Sequence, residues 1–155
     1  MFFLDTTRKT ISKLFGKITG LTTMINGGGT LVLYSTSTET GPKLSVIDLS
    51  KHAIKDLNTY GLPEKCVWSS DNITVYCAVP NTISGNEYPD IWYQGLISFD
   101  DYFVKINTMT GEKITLTNSK DETPVDGTYL FLDKKETSLF FTNKKDSTLW
   151  SLEIR

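Results

Sequence analysis

Short stretches of alternating apolar and polar residues run along the whole chain, and two patterns recur. The segments "FFLDTTRKTISKL", "SVIDLSKHAIKDL" and "VKINTMTGEKITL" align without gaps on Asp5, Asp48 and Asn107. Each has an alternating stretch, a polar turn and a second alternating stretch, which is typical of a β-hairpin. A second set of hairpins, in "MINGGGTLVLYST", "VWSSDNITVYCAV" and "FLDKKETSLFFTN", lies between them. No stretch keeps the helical period of about 3.6 residues, so the pattern predicts an all-β chain.

The two hairpins together form a four-stranded antiparallel unit, which first recurs after the 43 residues from Asp5 to Asp48. Four antiparallel strands repeated at about 40 to 45 residues are typical of a β-propeller blade, whose strands we letter A to D from the axis outwards. The pattern predicts strands at residues 2–5, 11–15, 20–26, 30–37, 43–49, 53–58, 64–69, 73–79, 101–107, 112–117, 127–133, 138–143 and 147–154.

These strands predict a single domain, a partial β-propeller of about three four-stranded blades, two of them complete and two incomplete. Residues 1–15 supply only strands C and D, and residues 125–155 supply only strands A to C. The complete blades are 20–58 and 64–117, and the second carries an insertion at 80–99.

The inner hairpin "CVWSSDNITVYCAV" resembles the "Φ-W-S-P-D-G-x-x-Φ-x-Φ" hairpin of WD40-like and TolB-like bacterial propellers, and "KDSTLWSLEI" is similar to their third strand. Ser70 and Asn72 stand where that family usually has proline and glycine. The resemblance covers nearly all of the chain. It implies a propeller fold and an extracytoplasmic bacterial setting, periplasmic or at the cell surface. It implies no particular activity, because propellers carry many unrelated functions.

The predicted strands are too few to close a ring of about four to eight blades from one chain. Open ends would expose unpaired strand edges and apolar faces, which proteins normally cover. We therefore expect further blades upstream of Met1. The alternative is a homodimer in which two copies assemble one ring.

The insertion "PNTISGNEYPDIWYQGLISFD" is the one departure from the repeat. Insertions in repeat proteins lie on one face, often the binding face, and aromatic residues with polar tips are common anchors of recognition. The alternative is a loop that folds its own aromatic rings over the blade. The predicted binding residues are Tyr88, Asp90, Trp92, Tyr93, Gln94 and Phe99.

Candidate catalytic and metal-binding groups are few. His52 is the single histidine and lies in a predicted outer turn, and no HExxH or GxSxG motif is present. Asp100 and Asp101 could bind calcium together with Glu87 or Asp90, but that ion prefers about six to eight oxygen ligands. We therefore predict no catalytic residues, no metal and no cofactor.

Two further sets of residues receive structural interpretations. The polar residue that follows strand C is expected to cap the next turn with its own side chain; this position is occupied by Asp5, Asp48, Asn107 and Glu153. Cys66 and Cys77 lie on predicted adjacent strands, within reach of a cross-strand disulfide. We favour two free, buried thiols, because free cysteine is commonly buried.

Composition and charge narrow the choice of partners. The net charge is −2 and the charges are scattered, so no basic face for a nucleic acid is expected. No apolar stretch approaches the roughly 20 residues of a membrane span. The predicted function is a non-enzymatic binding or scaffolding module, part of a larger protein, that engages a protein, peptide or glycan. The alternative is an accessory gating or docking propeller of a hydrolase whose catalytic domain is not in this chain.

Overall fold

A computed structural model of the protein describes residues 1–117 and 123–154, and nearly all of its regular structure is antiparallel β-sheet. The strands in these residues form four sheets. Sheet 1 contains β1 (Phe2–Asp5) and β2 (Thr10–Lys13); sheet 2 contains β3 (Thr22–Ile25), β4 (Leu31–Thr38), β5 (Gly41–Asp48) and β6 (Ala53–Tyr60); sheet 3 contains β7 (Cys66–Trp68), β8 (Thr74–Pro80), β9 (Asp101–Asn107) and β10 (Lys113–Thr115); sheet 4 contains β11 (Gly127–Leu132), β12 (Ser138–Asn143) and β13 (Thr148–Glu153).

Each sheet pairs its strands in chain order, so every connection within a sheet is a hairpin or a longer loop between neighbouring strands. Each predicted strand is present, with ends that differ by no more than two residues. The fold class, an all-β partial propeller with two complete four-stranded sheets and two incomplete ones, is confirmed. A 3₁₀ helix at Pro63–Lys65 precedes β7, and a short helix α1 at Asp90–Tyr93 lies between β8 and β9.

Turn residues fix the hairpins through their own side chains. Asp5 Oδ1 accepts the backbone N–H groups of Thr7 and Arg8 at 2.9 and 2.8 Å. Asp48 and Asn107 accept the N–H groups two and three residues further on in the same way. The predicted capping role is therefore confirmed at these three positions, since a side-chain acceptor there takes the place of a backbone turn bond.

The backbone conformation of Asn72 explains why asparagine can stand here, where WD40-like and TolB-like propellers usually have glycine. It has a φ of 59° in the β7–β8 turn, in the left-handed region that glycine and asparagine adopt at the lowest cost. Asp71 Oδ1 accepts the N–H groups of Ile73 and Thr74 at 2.8 and 2.7 Å in the same turn. Asparagine can therefore stand where glycine is usual without losing the hairpin.

The core lies between sheets that stack face to face. Leu33 and Leu44 of sheet 2 pack against Val75 and Val104 of sheet 3. The innermost strands β3, β7 and β11 follow one another around the axis, with the 3₁₀ helix between β3 and β7 and with direct contacts between β7 and β11. This stacking of successive sheets around their inner strands is the arrangement of propeller blades.

The second interface uses the opposite face of sheet 3. Tyr76 and Phe103 pack there against Leu139 and Phe141 of sheet 4. Every residue of β8 is buried, because this strand has a neighbouring sheet on each side. That double burial explains why "VYCAV" has no polar positions.

Sheet 1 is much less covered than the other three. Phe2, Phe3, Leu4 and Ile11 are all more than half exposed. No helix among the described residues is both long and apolar enough to cross a membrane.

The two cysteines form a disulfide, so the expectation of free thiols is wrong. Cys66 and Cys77 are paired directly opposite each other across β7 and β8, with their Cα atoms 4.1 Å apart. The Ser69 N–H donates to the Thr74 carbonyl three residue pairs further along the same hairpin. Because hydrogen-bonded and non-hydrogen-bonded pairs alternate along an antiparallel ladder, Cys66 and Cys77 form a non-hydrogen-bonded pair. Opposing side chains are closest at such positions, at a Cα separation of about 4.5 Å.

We expect thiol titration of the denatured, unreduced chain to find no free thiol. The disulfide closes a short loop, with a sequence separation of 11, and should stabilise the fold by about 2–3 kcal/mol in the chain-entropy model. Urea unfolding of the oxidised and reduced wild-type chain measures this difference. Two titrating thiols, or identical unfolding midpoints, would contradict the assignment.

We expect Trp68→Ala to lower the free energy of unfolding by about 2–4 kcal/mol, because the indole packs between sheets 2 and 3 and leaves a cavity when removed. Its Nε1–H donates to the Met24 carbonyl at 3.4 Å. Ile54→Ala is the matched control, since Ile54 is 65% exposed and should cost less than about 1 kcal/mol. Equal losses in the two variants would place Trp68 outside the core.

Candidate functional site

The inner side of the insertion is packed as part of the core. Tyr88, Trp92 and Phe99 are 2%, 4% and 2% exposed and form a cluster with Leu62. The Tyr88 and Trp92 rings stack on Phe99, with centroids 5.8 and 6.2 Å away. Three of the six predicted binding residues therefore lie where no partner can reach them in this structure. Their packing fits the alternative of a loop that folds its rings over the blade.

Beneath the insertion lies a buried ionic cluster of Lys65, Asp101 and Asp126, whose side chains are all fully buried. Lys65 Nζ is 2.8 Å from Asp101 Oδ2 and also forms an ion pair with Asp126 Oδ1. Its third donor bond goes to the Gly127 carbonyl at 3.0 Å. A buried charge is strongly unfavourable unless it is paired and hydrogen-bonded. The three residues therefore depend on one another.

Strand direction brings these residues together. Lys65 immediately precedes β7, Asp101 begins β9 and Asp126 immediately precedes β11. β7 and β9 each pair antiparallel with β8, so their first residues lie at the same end of sheet 3. The start of β11 lies beside that end, since Gly127 N–H donates to Asp101 Oδ2 at 2.7 Å.

Asp126 attaches the insertion to this cluster. Its Oδ2 accepts Trp92 Nε1–H at 2.9 Å, Phe99 N–H at 3.1 Å and Ser98 Oγ–H at 3.2 Å. Lys65 Nζ also lies 5.1 Å from the ring centroids of both Trp92 and Phe99, which adds cation–π attraction. One carboxylate thus holds the insertion and two sheets together.

The pKa values of the two carboxyl groups are shifted in opposite directions. Burial raises the pKa of Asp101 to about 6, against the opposing attraction of Lys65. Burial also acts to raise the pKa of Asp126, but the Lys65 charge and the hydrogen bonds from Lys65, Trp92 and Phe99 outweigh it and lower that pKa below its usual value. The Lys65 ammonium group is paired with both carboxylates, and Asp126 accepts additional hydrogen bonds from Trp92 and Phe99.

The outer side of the insertion carries the other predicted residues. Asp90 and Gln94 are exposed, and Tyr93 is 52% exposed. Tyr93 Oη donates to the Glu64 carboxylate, whose Oε2 accepts Thr22 Oγ–H at 3.0 Å. Partial burial, and then the Glu64 carboxylate, raise the pKa of the Tyr93 phenol. Of the six residues predicted to bind a partner, Asp90, Tyr93 and Gln94 are exposed on this outer side, and their role in binding stays a prediction.

The remaining candidates for chemistry are an exposed histidine and two aspartates that are paired with lysines. His52 is exposed in the β5–β6 turn. Asp100 forms an ion pair with Lys145, and Asp101 faces Lys65, so each of the two carboxylates considered as calcium ligands is paired with a lysine. Within the described ranges, no group of three or more histidine, cysteine or acidic residues could hold a metal ion.

Sequence reasoning missed Lys65 and Asp126, the two residues on which the site depends. The available signal was a charged residue at the start of one predicted inner strand, Lys65 in "EKCVW", and another directly before the next, Asp126 in "VDGTYL". That signal is weak because charged residues also occur before strands in exposed loops. Only the contact between them, across a sequence separation of 61, shows that they are partners.

No protein-family model and no curated protein sequence matches the chain. Among solved structures, the crystal structure of the tricorn protease is similar, with 11% sequence identity and a TM-score of 0.39. The similarity covers 99% of this chain and 23% of that one, so the chain spans less than a quarter of its length. Similarity at this level assigns neither a family nor an activity, and the WD40-like and TolB-like resemblance stays a prediction.

We expect Asp101 to make the stability of the chain depend on pH between about 4 and 6. The pKa of Asp101 is about 6 in the folded chain, whereas the unfolded chain releases this proton near the ordinary aspartate pKa of 3.8. The folded state therefore binds more protons in this window, and this contribution to the free energy of unfolding falls as pH rises through it. The expected change is on the order of 1–3 kcal/mol.

Urea unfolding of the wild type and of Asp101→Asn, measured at steps from pH 4 to pH 7, isolates this contribution because asparagine does not titrate. The difference in unfolding free energy between the two chains should change across the window. The lowered pKa of Asp126 acts in the opposite sense and below this range. Parallel pH profiles for the two chains would show that Asp101 titrates normally.

Proposed function

We propose that the chain is a non-enzymatic binding module that holds a protein or peptide partner on the outer side of the insertion. The observation that carries the proposal is the half-exposed Tyr93, on a helix whose inner side is fixed by the buried cluster. Trp92 and Tyr93 are neighbours with ring centroids 5.6 Å apart, yet one is bonded to Asp126 and the other faces solvent.

Fixing the inner side lowers the cost of binding. A loop that is already ordered loses little conformational freedom when a partner arrives, so more of the contact free energy appears as affinity. A rigid, half-exposed tyrosine with a polar tip is a common anchor at protein interfaces. Leu96, 69% exposed, adds apolar area on the same insertion.

Charge narrows the class of partner. The carboxylates of Glu64 and Asp90 flank Tyr93, and both side chains are exposed. Lys144 lies over the Trp92 ring and is already bonded to the Trp92 carbonyl at 2.7 Å. A peptide segment that presents lysine or arginine beside an apolar residue is complementary to this surface. A glycan is disfavoured, because the insertion's other large rings are buried and offer no flat platform.

The disulfide supports an extracytoplasmic setting. Cys66 and Cys77 are bonded, and such bonds persist mainly in oxidising compartments. The alternative, an accessory propeller of a hydrolase, has no supporting observation among residues 1–117 and 123–154.

The test is a selection from a random peptide library on the immobilised full chain, followed by titration of the enriched peptides. We expect enrichment of lysine or arginine beside apolar residues, and a loss of affinity of at least about tenfold in Tyr93→Ala. Ile54→Ser is the control, since Ile54 is an apolar residue that is 65% exposed and lies on β6, away from the insertion. A library that yields no binders, or binders indifferent to Tyr93→Ala, would reject the proposal.

Point substitution is preferable to deletion of the insertion. Removing residues 82–98 would take Trp92 away from Asp126 and open the Lys65 cluster to water. Loss of binding in such a deletion would therefore not separate a lost surface from a lost fold.

A further inference from the structure

The buried ionic cluster places an amine in direct contact with two carboxyl groups. Lys65 Nζ lies 2.8 Å from Asp101 Oδ2 and also contacts Asp126 Oδ1. None of the three side chains is exposed, and the Trp92 and Phe99 ring centroids lie 5.1 Å from Nζ. Reacting groups held in the right geometry behave as if at effective concentrations of up to about 10⁵–10⁸ M. The cluster therefore has the geometry of a reacting pair as well as that of an ion pair.

One atom of this cluster is not explained by ion pairing. Asp101 Oδ2 accepts Lys65 Nζ–H and Gly127 N–H at 2.8 and 2.7 Å. Asp101 Oδ1 is also buried, but it has no hydrogen-bond partner among residues 1–117 and 123–154. Buried polar atoms in folded proteins nearly always have a partner, and each exception calls for an explanation. A reaction that removes this oxygen as water provides one.

The ionisation of the two carboxyl groups suits them to different roles. Burial raises the pKa of Asp101 to about 6, so its acid form, which an amine attacks more readily than a carboxylate, is accessible near neutral pH. Burial opposes the ionisation of Asp126, but the Lys65 charge and the hydrogen bonds described above outweigh it and lower its pKa. Asp126 therefore stays ionised and can accept a proton from the Lys65 nitrogen.

We propose that Lys65 and Asp101 condense into an intramolecular amide, an isopeptide bond, with Asp126 as the general base. One proton first passes from the Lys65 ammonium group to Asp101 Oδ1, the carboxyl oxygen that accepts no other donor. The Nζ lone pair then forms a bond with Asp101 Cγ, while Asp126 Oδ1 takes a second proton from Nζ. The Cγ–Oδ1 bond breaks, and the departing hydroxyl collects that second proton and leaves as water. One ammonium and one carboxylate thus give one amide and one water, without oxidation or reduction.

The surroundings of Asp101 favour both the reaction and its product. Gly127 N–H, which donates to Asp101 Oδ2, stabilises the negative charge that develops on this oxygen as nitrogen adds to Cγ. A neutral amide needs no counter-ion, whereas a buried ion pair retains a large desolvation cost. Asp126 keeps the three hydrogen bonds that the insertion donates to its Oδ2, so its charge stays satisfied after the reaction.

The reaction needs neither Tyr93 nor a partner, so its test does not depend on the function proposed above. The bond closes a loop from residue 65 to residue 101, which contains the whole insertion. The pH dependence described for Asp101 belongs to the unreacted chain, because an amide has no carboxyl group to titrate. The mass of the chain is therefore measured before the pH series.

Mass spectrometry of the full chain, denatured and reduced, tests for the bond, and we expect a chain lighter than its sequence mass by one water. Trypsin then locates it, because trypsin cuts after a free Lys65 but not after a lysine in amide linkage. Linkage to Asp101 leaves residues 56–105 as one uncut peptide that is lighter by one water. Linkage to Asp126 would instead join 56–105 to 121–134.

Three variants test the roles of the residues. Lys65→Arg keeps the positive charge but removes the nucleophilic amine, and should have an unshifted mass. Asp126→Asn removes the base and should slow the appearance of the lighter chain during cell-free synthesis by at least about tenfold. Asp100→Asn is the matched control, since Asp100 is the neighbour of Asp101 but pairs with Lys145 at the surface. It should form the bond as the wild type does.

Four results would overturn the proposal. They are a wild-type chain of unshifted mass, a bond to Asp126, a loss of water that persists in Lys65→Arg, and an Asp126→Asn chain that reacts at the wild-type rate. A loss of water confined to residues 121–134, as cyclisation at the Asp126–Gly127 peptide would cause, counts against the bond in the same way. The wild-type mass decides the question even where a variant fails to fold.

Discussion

A lysine ammonium group that is removed from water is costly unless charged or polar groups surround it. In this chain the groups around Lys65 come from the start of β9, the connection before β11 and the Gly127 carbonyl. Meeting that requirement fixes sheet 4 against sheet 3 at one end of the propeller. Asp126 then extends the same network to the insertion through Trp92. The position of the insertion thus depends on a charge that lies beneath it.

The strands could be predicted because their signals are local. Side chains alternate between faces along a strand, and turns need particular residues at fixed positions, so both leave a pattern in the sequence. The turn caps at Asp5, Asp48 and Asn107 were predictable for this reason. β8 shows the limit of alternation, since both of its faces are buried and the polar positions vanish. There the repeat itself, rather than the period of two, identified the strand.

The site was harder to predict because its signals are long-range. Helix α1 has four residues, too few for a helical period to show which side is buried. Trp92 and Tyr93 therefore looked alike as candidate anchors, although the structure buries one and exposes the other. The pairing of Cys66 with Cys77 followed from the hairpin, but whether the sulfur atoms are bonded depends on a close approach within the hairpin that residue spacing does not report.

Glu64 gives the insertion a link to a neighbouring blade. One of its carboxylate oxygens accepts the hydroxyl of Tyr93, and the other accepts the hydroxyl of Thr22 on the innermost strand of sheet 2. A partner that displaced the Tyr93 hydroxyl would leave the Glu64 carboxylate with the Thr22 hydrogen bond alone of these two. A partner bound to the insertion of one blade would then alter a hydrogen bond on the innermost strand of the neighbouring blade, which the partner does not contact.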